Sequence, residues 1–198
     1  MTLNTLIAVS DLHLEFDDQE DAFEKLIPEK YADGIILAGD IGVGTKAIYF
    51  ILHLISLGYK VFYVAGNHEY YTHDIEKVND YFKAVDEPNF HFLDNDTYQD
   101  ENVRIIGSTL WASAGTCYVH PINGFTVEDK VDYFVRMKLK DAMEDFHSIQ
   151  RFNVDRMAEL FKENYNFIKR EVEKPFDGKT IVVTHHAPSF KSSLPMFE

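Results

Sequence analysis

At 198 residues and 22.9 kDa, with 45% hydrophobic and 14% aromatic side chains, the chain suits one domain, 1–198, with a sizeable core, which argues against disorder. Its net charge of −14 disfavours long nucleic acids and anionic membranes as partners, because both attract basic faces. No apolar run reaches bilayer length, the first apolar segment begins too near Met1 for a secretory leader, and a single cysteine, Cys117, excludes an internal disulfide; the expected setting is the cytoplasm.

The first apolar run, Leu6-Ile7-Ala8-Val9, leads into Ser10-Asp11-Leu12-His13. Ala22, Phe23, Leu26 and Ile27 then mark a short amphipathic helix limited by Pro28. A second strand, Ile35–Ala38, ends on Gly39-Asp40 and is followed by a mostly apolar helix from about Thr45 to Leu57. The third run, Val61-Phe62-Tyr63-Val64-Ala65, delivers Gly66-Asn67-His68-Glu69, placing an amide, an imidazole and a carboxylate at its end. Asp11, Asp40 and Asn67 lie 29 and 27 residues apart, the rhythm of βαβ crossovers on a parallel sheet, so the expected class is α/β.

A helix over about Asp74–Val85 comes next, then strands Phe90–Leu93 and Val103–Ile106 around a polar turn at Asp94-Asn95-Asp96. Gly107 to Trp111 should leave the sheet, and 112–125 should be irregular. Thr126 with Asp129 has the pattern of a capping box, ahead of a helical stripe from Val131 to Phe146. A second helix from near Asn153 carries Met157, Leu160, Phe161, Tyr165, Ile168 and Val172, and Pro175 ends it. A last strand, Thr180–Val183, runs into Thr184-His185-His186.

Each polar block has a plain alternative. Asp11 and Asn67 are ordinary turn residues, Asp40 suits a helix cap, and a histidine pair can be structural. Jointly, Asp11, His13, Asp40, Asn67 and His185 all fall at strand ends that a parallel sheet brings to one edge. Oxygen and imidazole donors together suit manganese and its neighbours better than calcium. A nucleotide- or flavin-binding doubly wound domain is a weaker alternative, because the order Gly39, Gly42, Gly44 is wrong for a phosphate-cradling loop.

Asp11-x-His13, Gly39-Asp40, Gly66-Asn67-His68-Glu69 and Thr184-His185-His186-Ala187-Pro188 together resemble the calcineurin-like metallophosphoesterases, in order and approximate spacing. That resemblance implies a four-layer α/β/β/α sandwich and hydrolysis of phosphoric esters, on small molecules or proteins, by a two-metal centre that generates a hydroxide between its ions. Asp11 and His13 would hold one ion, Asn67 and His185 the other, and Asp40 would bridge them. His185 is preferred to His186 as the first off the strand. His68 would be the catalytic residue, protonating or stabilising the departing oxygen, and manganese is the leading metal, with iron, zinc and nickel as alternatives.

Members of that family usually carry a further Gly-His-x-His block, whereas this sequence stops at Glu198, ten residues past Pro188. The resemblance thus implies a C-terminally shortened member, with three ligands from this chain on each ion. Weaker metal binding, a homo-oligomer formed over uncovered apolar surface, or an inactive remnant serving as a metal-binding or interaction module follow as alternatives.

Overall fold

The computed structural model describes residues 3–16, 32–113, 117–120, 124–127, 133–189 and 192. The short helix expected at Ala22–Ile27 lies outside them. Strands β1 (Leu6–Val9), β2 (Gly34–Ala38), β3 (Lys60–Val64) and β4 (Phe90–Phe92) form one wholly parallel sheet in the order β1-β2-β3-β4. Helix α1 (Ala47–Ser56) connects β2 to β3, and α2 (Ile75–Lys83), capped by the Asp74 side chain on the Lys77 amide, connects β3 to β4. Helix α1 is the crossover that the spacing of Asp40 and Asn67 requires, while most of the segment between β1 and β2 lies outside the described residues.

Alternation along the strands divides the core in two. Ile35, Leu37, Val61, Tyr63, Phe90 and Phe92 pack against Ile48, Ile51 and Leu54 of α1 and Val78 and Phe82 of α2. Ile36, Phe62 and Val64 face the other way, onto Leu93, Val103, Ile105 and Val183. Burial on both faces is why β2 and β3 read as unbroken apolar runs.

The second face meets a second sheet, in which β5 (Asp96–Gln99) is antiparallel to β6 (Val103–Ser108) and β6 is parallel to β9 (Lys179–Thr184). The long helix α5 (Val154–Glu173) covers it, after α3 (Tyr133–Ala142) and α4 (Asp145–Ser148). Buried Arg104, on the outer face of β6, donates to the Lys174 carbonyl at the end of α5 at 3.0 Å. Met157, Leu160 and Phe161 of α5 join the first cluster with Tyr70 and Trp111. The result is a four-layer α/β/β/α sandwich.

Several local expectations are corrected. Phe90–Phe92 pairs with β3 rather than with β6, because its parallel neighbour buries both phenylalanines, and the hairpin partner of β6 is the polar segment Asp96–Gln99. Gly107 and Ser108 stay in β6, opposite Val183 and Thr184. Within 112–125 there are strand residues: β7 (Cys117–His120) pairs with β8 (Gly124–Val127), which contains Thr126, so no helix starts there. The helical stripe from Val131 to Phe146 breaks after Ala142, and Val172 is exposed, with Phe167 and Glu171 facing inward instead. His185 reaches the site from the second sheet, not from a strand of the first.

Candidate metal centre

Beyond the ends of β1 and β2 the two segments remain hydrogen-bonded to each other. The amides of Asp11, His13 and Leu14 donate to the carbonyls of Gly39, Asp40 and Ile41 at 3.0, 3.0 and 2.9 Å. To do so, Asp11, His13 and Asp40 adopt left-handed backbone, with φ of 56°, 47° and 54°. Each such residue costs on the order of 1–3 kcal/mol and persists only where the surroundings enforce it, as they do at ligand sites. The effect is to aim three polar side chains past the sheet edge.

Asp40 is the hub. Its side chain is 7% exposed. Oδ1 accepts the His68 amide at 2.9 Å and lies 3.4 Å from His185 Nε2, while Oδ2 lies 3.9 Å from His13 Nε2. Burial pushes this carboxyl up, but the hydrogen bond and charge of His185, with the His68 amide, hold it below its ordinary value. Asp11, itself bonded by the Ser10 hydroxyl, has its donor atom within 4.8 Å of those of Asp40 and His185.

The ring of His185, 8% exposed in its side chain, is fixed from behind: Nδ1 meets the Ala38 carbonyl at 3.0 Å and must donate to it. Nε2 then faces Asp40 Oδ1 and, at 3.1 Å, Asn67 Oδ1. The Asn67 amide orientation is set by its Nδ2, which donates to Asp145 Oδ1 at 2.7 Å and to the Tyr71 hydroxyl at 3.3 Å. In the neutral form of His185, three lone-pair atoms therefore converge with no donor among them. Separations near 3 Å between donors are those of ligands about 2.1 Å from one ion. The donor set fits a divalent transition cation. Without one a proton serves: burial pushes His185 down, yet Asp40 and the Ala38 carbonyl more than offset it and raise its pKa.

His68 opens a single turn of 3-10 helix, His68–Tyr70, beside this cluster. Its ring stacks on Tyr71 at 4.3 Å and meets the edge of His13 at 4.4 Å. His186 points elsewhere, with Nδ1 3.3 Å from the Thr109 carbonyl and its ring against Trp111. All six candidates, Asp11, His13, Asp40, Asn67, His68 and His185, thus lie around one edge.

One neighbour was placed wrongly by sequence reasoning and two escaped it. Glu69, expected to present its carboxylate at the strand end, is instead fully buried beneath it and accepts from backbone amides of both strand-end loops. Glu15 sits between His13 and His68; its signal was the same two-residue step that separates Asp11 from His13. Asp145, from α4, carries no local signal at all.

A family model described as calcineurin-like phosphoesterase matches residues 5–197. An uncharacterized protein of Acanthamoeba polyphaga mimivirus is 29% identical over 204 residues, covering 94% of this chain and 69% of that protein. The crystal structure of a phosphopantetheinyl hydrolase from Mycobacterium tuberculosis superposes with a TM-score of 0.65 at 19% identity, over 92% of this chain and 68% of that one. At that identity the likeness is one of fold.

Proposed function

The chain belongs to the calcineurin-like phosphoesterase family, and from that premise we propose that it hydrolyses phosphoric esters at a centre holding two divalent cations. The observation that carries this reading is the convergence of His185 Nε2, Asp40 Oδ1 and Asn67 Oδ1, with Asp40 Oδ2 turned to His13. Asp11, His13 and Asp40 would hold one ion, and Asp40, Asn67 and His185 the other. Manganese is the first choice, with iron, zinc or nickel tolerated by the same donors.

Bound there, two divalent ions supply Lewis acidity to the ester oxygens and a nucleophilic water at neutral pH. The chain's own part is positional. Ala38 keeps the His185 lone pair at Nε2, Asp145 keeps the Asn67 oxygen inward, and the left-handed backbone at Asp11, His13 and Asp40 holds their side chains forward. His68, held by Tyr71 and His13, carries the proton for the departing oxygen. Small-molecule or protein-borne esters are the substrates proposed, since 14 excess negative charges repel long polyanions. A cytoplasmic setting suits a chain with one cysteine.

The test is turnover of a chromogenic phosphate ester with and without manganese, alongside calorimetric titration. Turnover should require the metal, and Asp40→Ala and His68→Ala should each lower it by about 100-fold or more. Unchanged rates in both variants, or no metal uptake by the wild type, would overturn the reading in favour of an inactive module.

A further inference from the structure

Glu15 belongs to none of the roles assigned so far, yet its setting is unusual. It lies in the turn that carries His13, closed by the Phe16 amide on the His13 carbonyl at 2.9 Å and anchored by buried Leu14. Its side chain is only 9% exposed. A single oxygen, Oε1, lies 3.2 Å from His13 Nδ1 and 3.0 Å from His68 Nδ1. Oε2 is buried and has no hydrogen-bond partner among the described residues.

A carboxylate held out of water with one oxygen unmatched is costly, and such groups persist where they serve another group. Here the charge falls between two imidazoles set edge to face at 4.4 Å. An ionised carboxylate only accepts, so both rings must carry their proton at Nδ1. Their Nε2 atoms are then the available nitrogens, and that of His13 is the one turned to Asp40. A metal-binding histidine characteristically donates its other N–H to such an acceptor, which fixes tautomer and ring orientation.

We infer that Glu15 is a positioning residue that orients His13 and His68 together through one shared oxygen. It sets a metal-binding ring and a second ring whose Nε2 is left to take up a proton and pass it to the departing oxygen, so the two cannot be turned independently. This inference rests on the phosphoesterase reading for the roles of the two rings, while the hydrogen-bond arrangement stands without it.

The test is nitrogen-15 NMR of the histidine rings in the metal-free wild type, Glu15→Ala and Glu15→Gln, with manganese titrations of all three. In the wild type both rings should show the Nδ1–H form. Glu15→Ala should release both rings to the Nε2–H form and weaken manganese binding by roughly 10- to 100-fold, lowering kcat with little change in KM. Glu15→Gln, which keeps the shape and one acceptor oxygen, should recover part of that loss. An Nε2–H form of either ring in the wild type, or Glu15→Ala with unaltered tautomers and affinity, would overturn the inference even if Glu15→Gln failed to fold. Wild type that binds no manganese yet keeps both rings Nδ1-protonated would sink the phosphoesterase reading and leave this arrangement supported.

Discussion

The carboxylate of Glu69 lies beneath the backbone amide of Asp40 and accepts from it at 3.0 Å, although the two residues are 29 apart in the chain. The same carboxylate accepts from Ile41 at 2.7 Å, Gly66 at 2.7 Å and the Tyr63 hydroxyl at 2.9 Å. One buried side chain thus fastens the loop after β2 to the loop after β3. Burial pushes its carboxyl above the ordinary range, the charge of Asp40 adds to that, and the amides and Tyr63 oppose it.

Glu69→Ala should therefore act first on stability. It strands buried amides and a hydroxyl that cost about 1–3 kcal/mol each when unmatched, so a loss of about 4 kcal/mol is expected in urea unfolding of the metal-free protein. Glu69→Gln, which keeps one acceptor oxygen, should lose about half of that. A Glu69→Ala midpoint equal to wild type would mean that the two loops hold together without it.

Gly66 is constrained by approach. A Cβ there would stand inside contact distance of Asp40 Oδ1, 2.6 Å from the Asp40 nitrogen and 2.8 Å from His185 Nε2. Gly66→Ala should displace both side chains, weaken manganese binding by about 10-fold or more as measured calorimetrically, and cost about 1–3 kcal/mol of stability. Undiminished affinity would show that the Asp40–His185 distance is not what the ion reads.

The Asp40–His185 pair gives opposite pH trends with and without metal. The folded His185 pKa lies above 6.5, so its stabilisation is fully present below that pH and disappears as pH rises through the folded value. The Asp40 pKa lies below 3.8, so its contribution is present above that pH and lost only as pH falls through the lower folded value. The metal-free protein should lose stability as pH rises above about 6.5 in urea titrations, and Asp40→Asn should flatten this slope. Manganese affinity should rise over the same interval, because the ion must displace the His185 proton. Parallel trends would refute the pairing.

The sequence by itself determined the parallel run of β1, β2 and β3, the crossover helix between β2 and β3 and the identity of the polar blocks at the strand ends. These are local matters: an apolar run of five ending on glycine or aspartate announces a buried strand and its mouth. It also marked Asn153 as the start of α5, where the side chain accepts from the Arg156 amide. Only the tertiary structure decided that His185 arrives from a second sheet, that His186 turns to Trp111, and that Glu69 lies under the site rather than in it. It alone placed Asp145 behind Asn67, 78 residues away. The reason is physical: a strand's hydrophobic period fixes where its last residue stands, but which neighbour that residue meets depends on how two sheets pack, and packing is set by side chains far off in the chain.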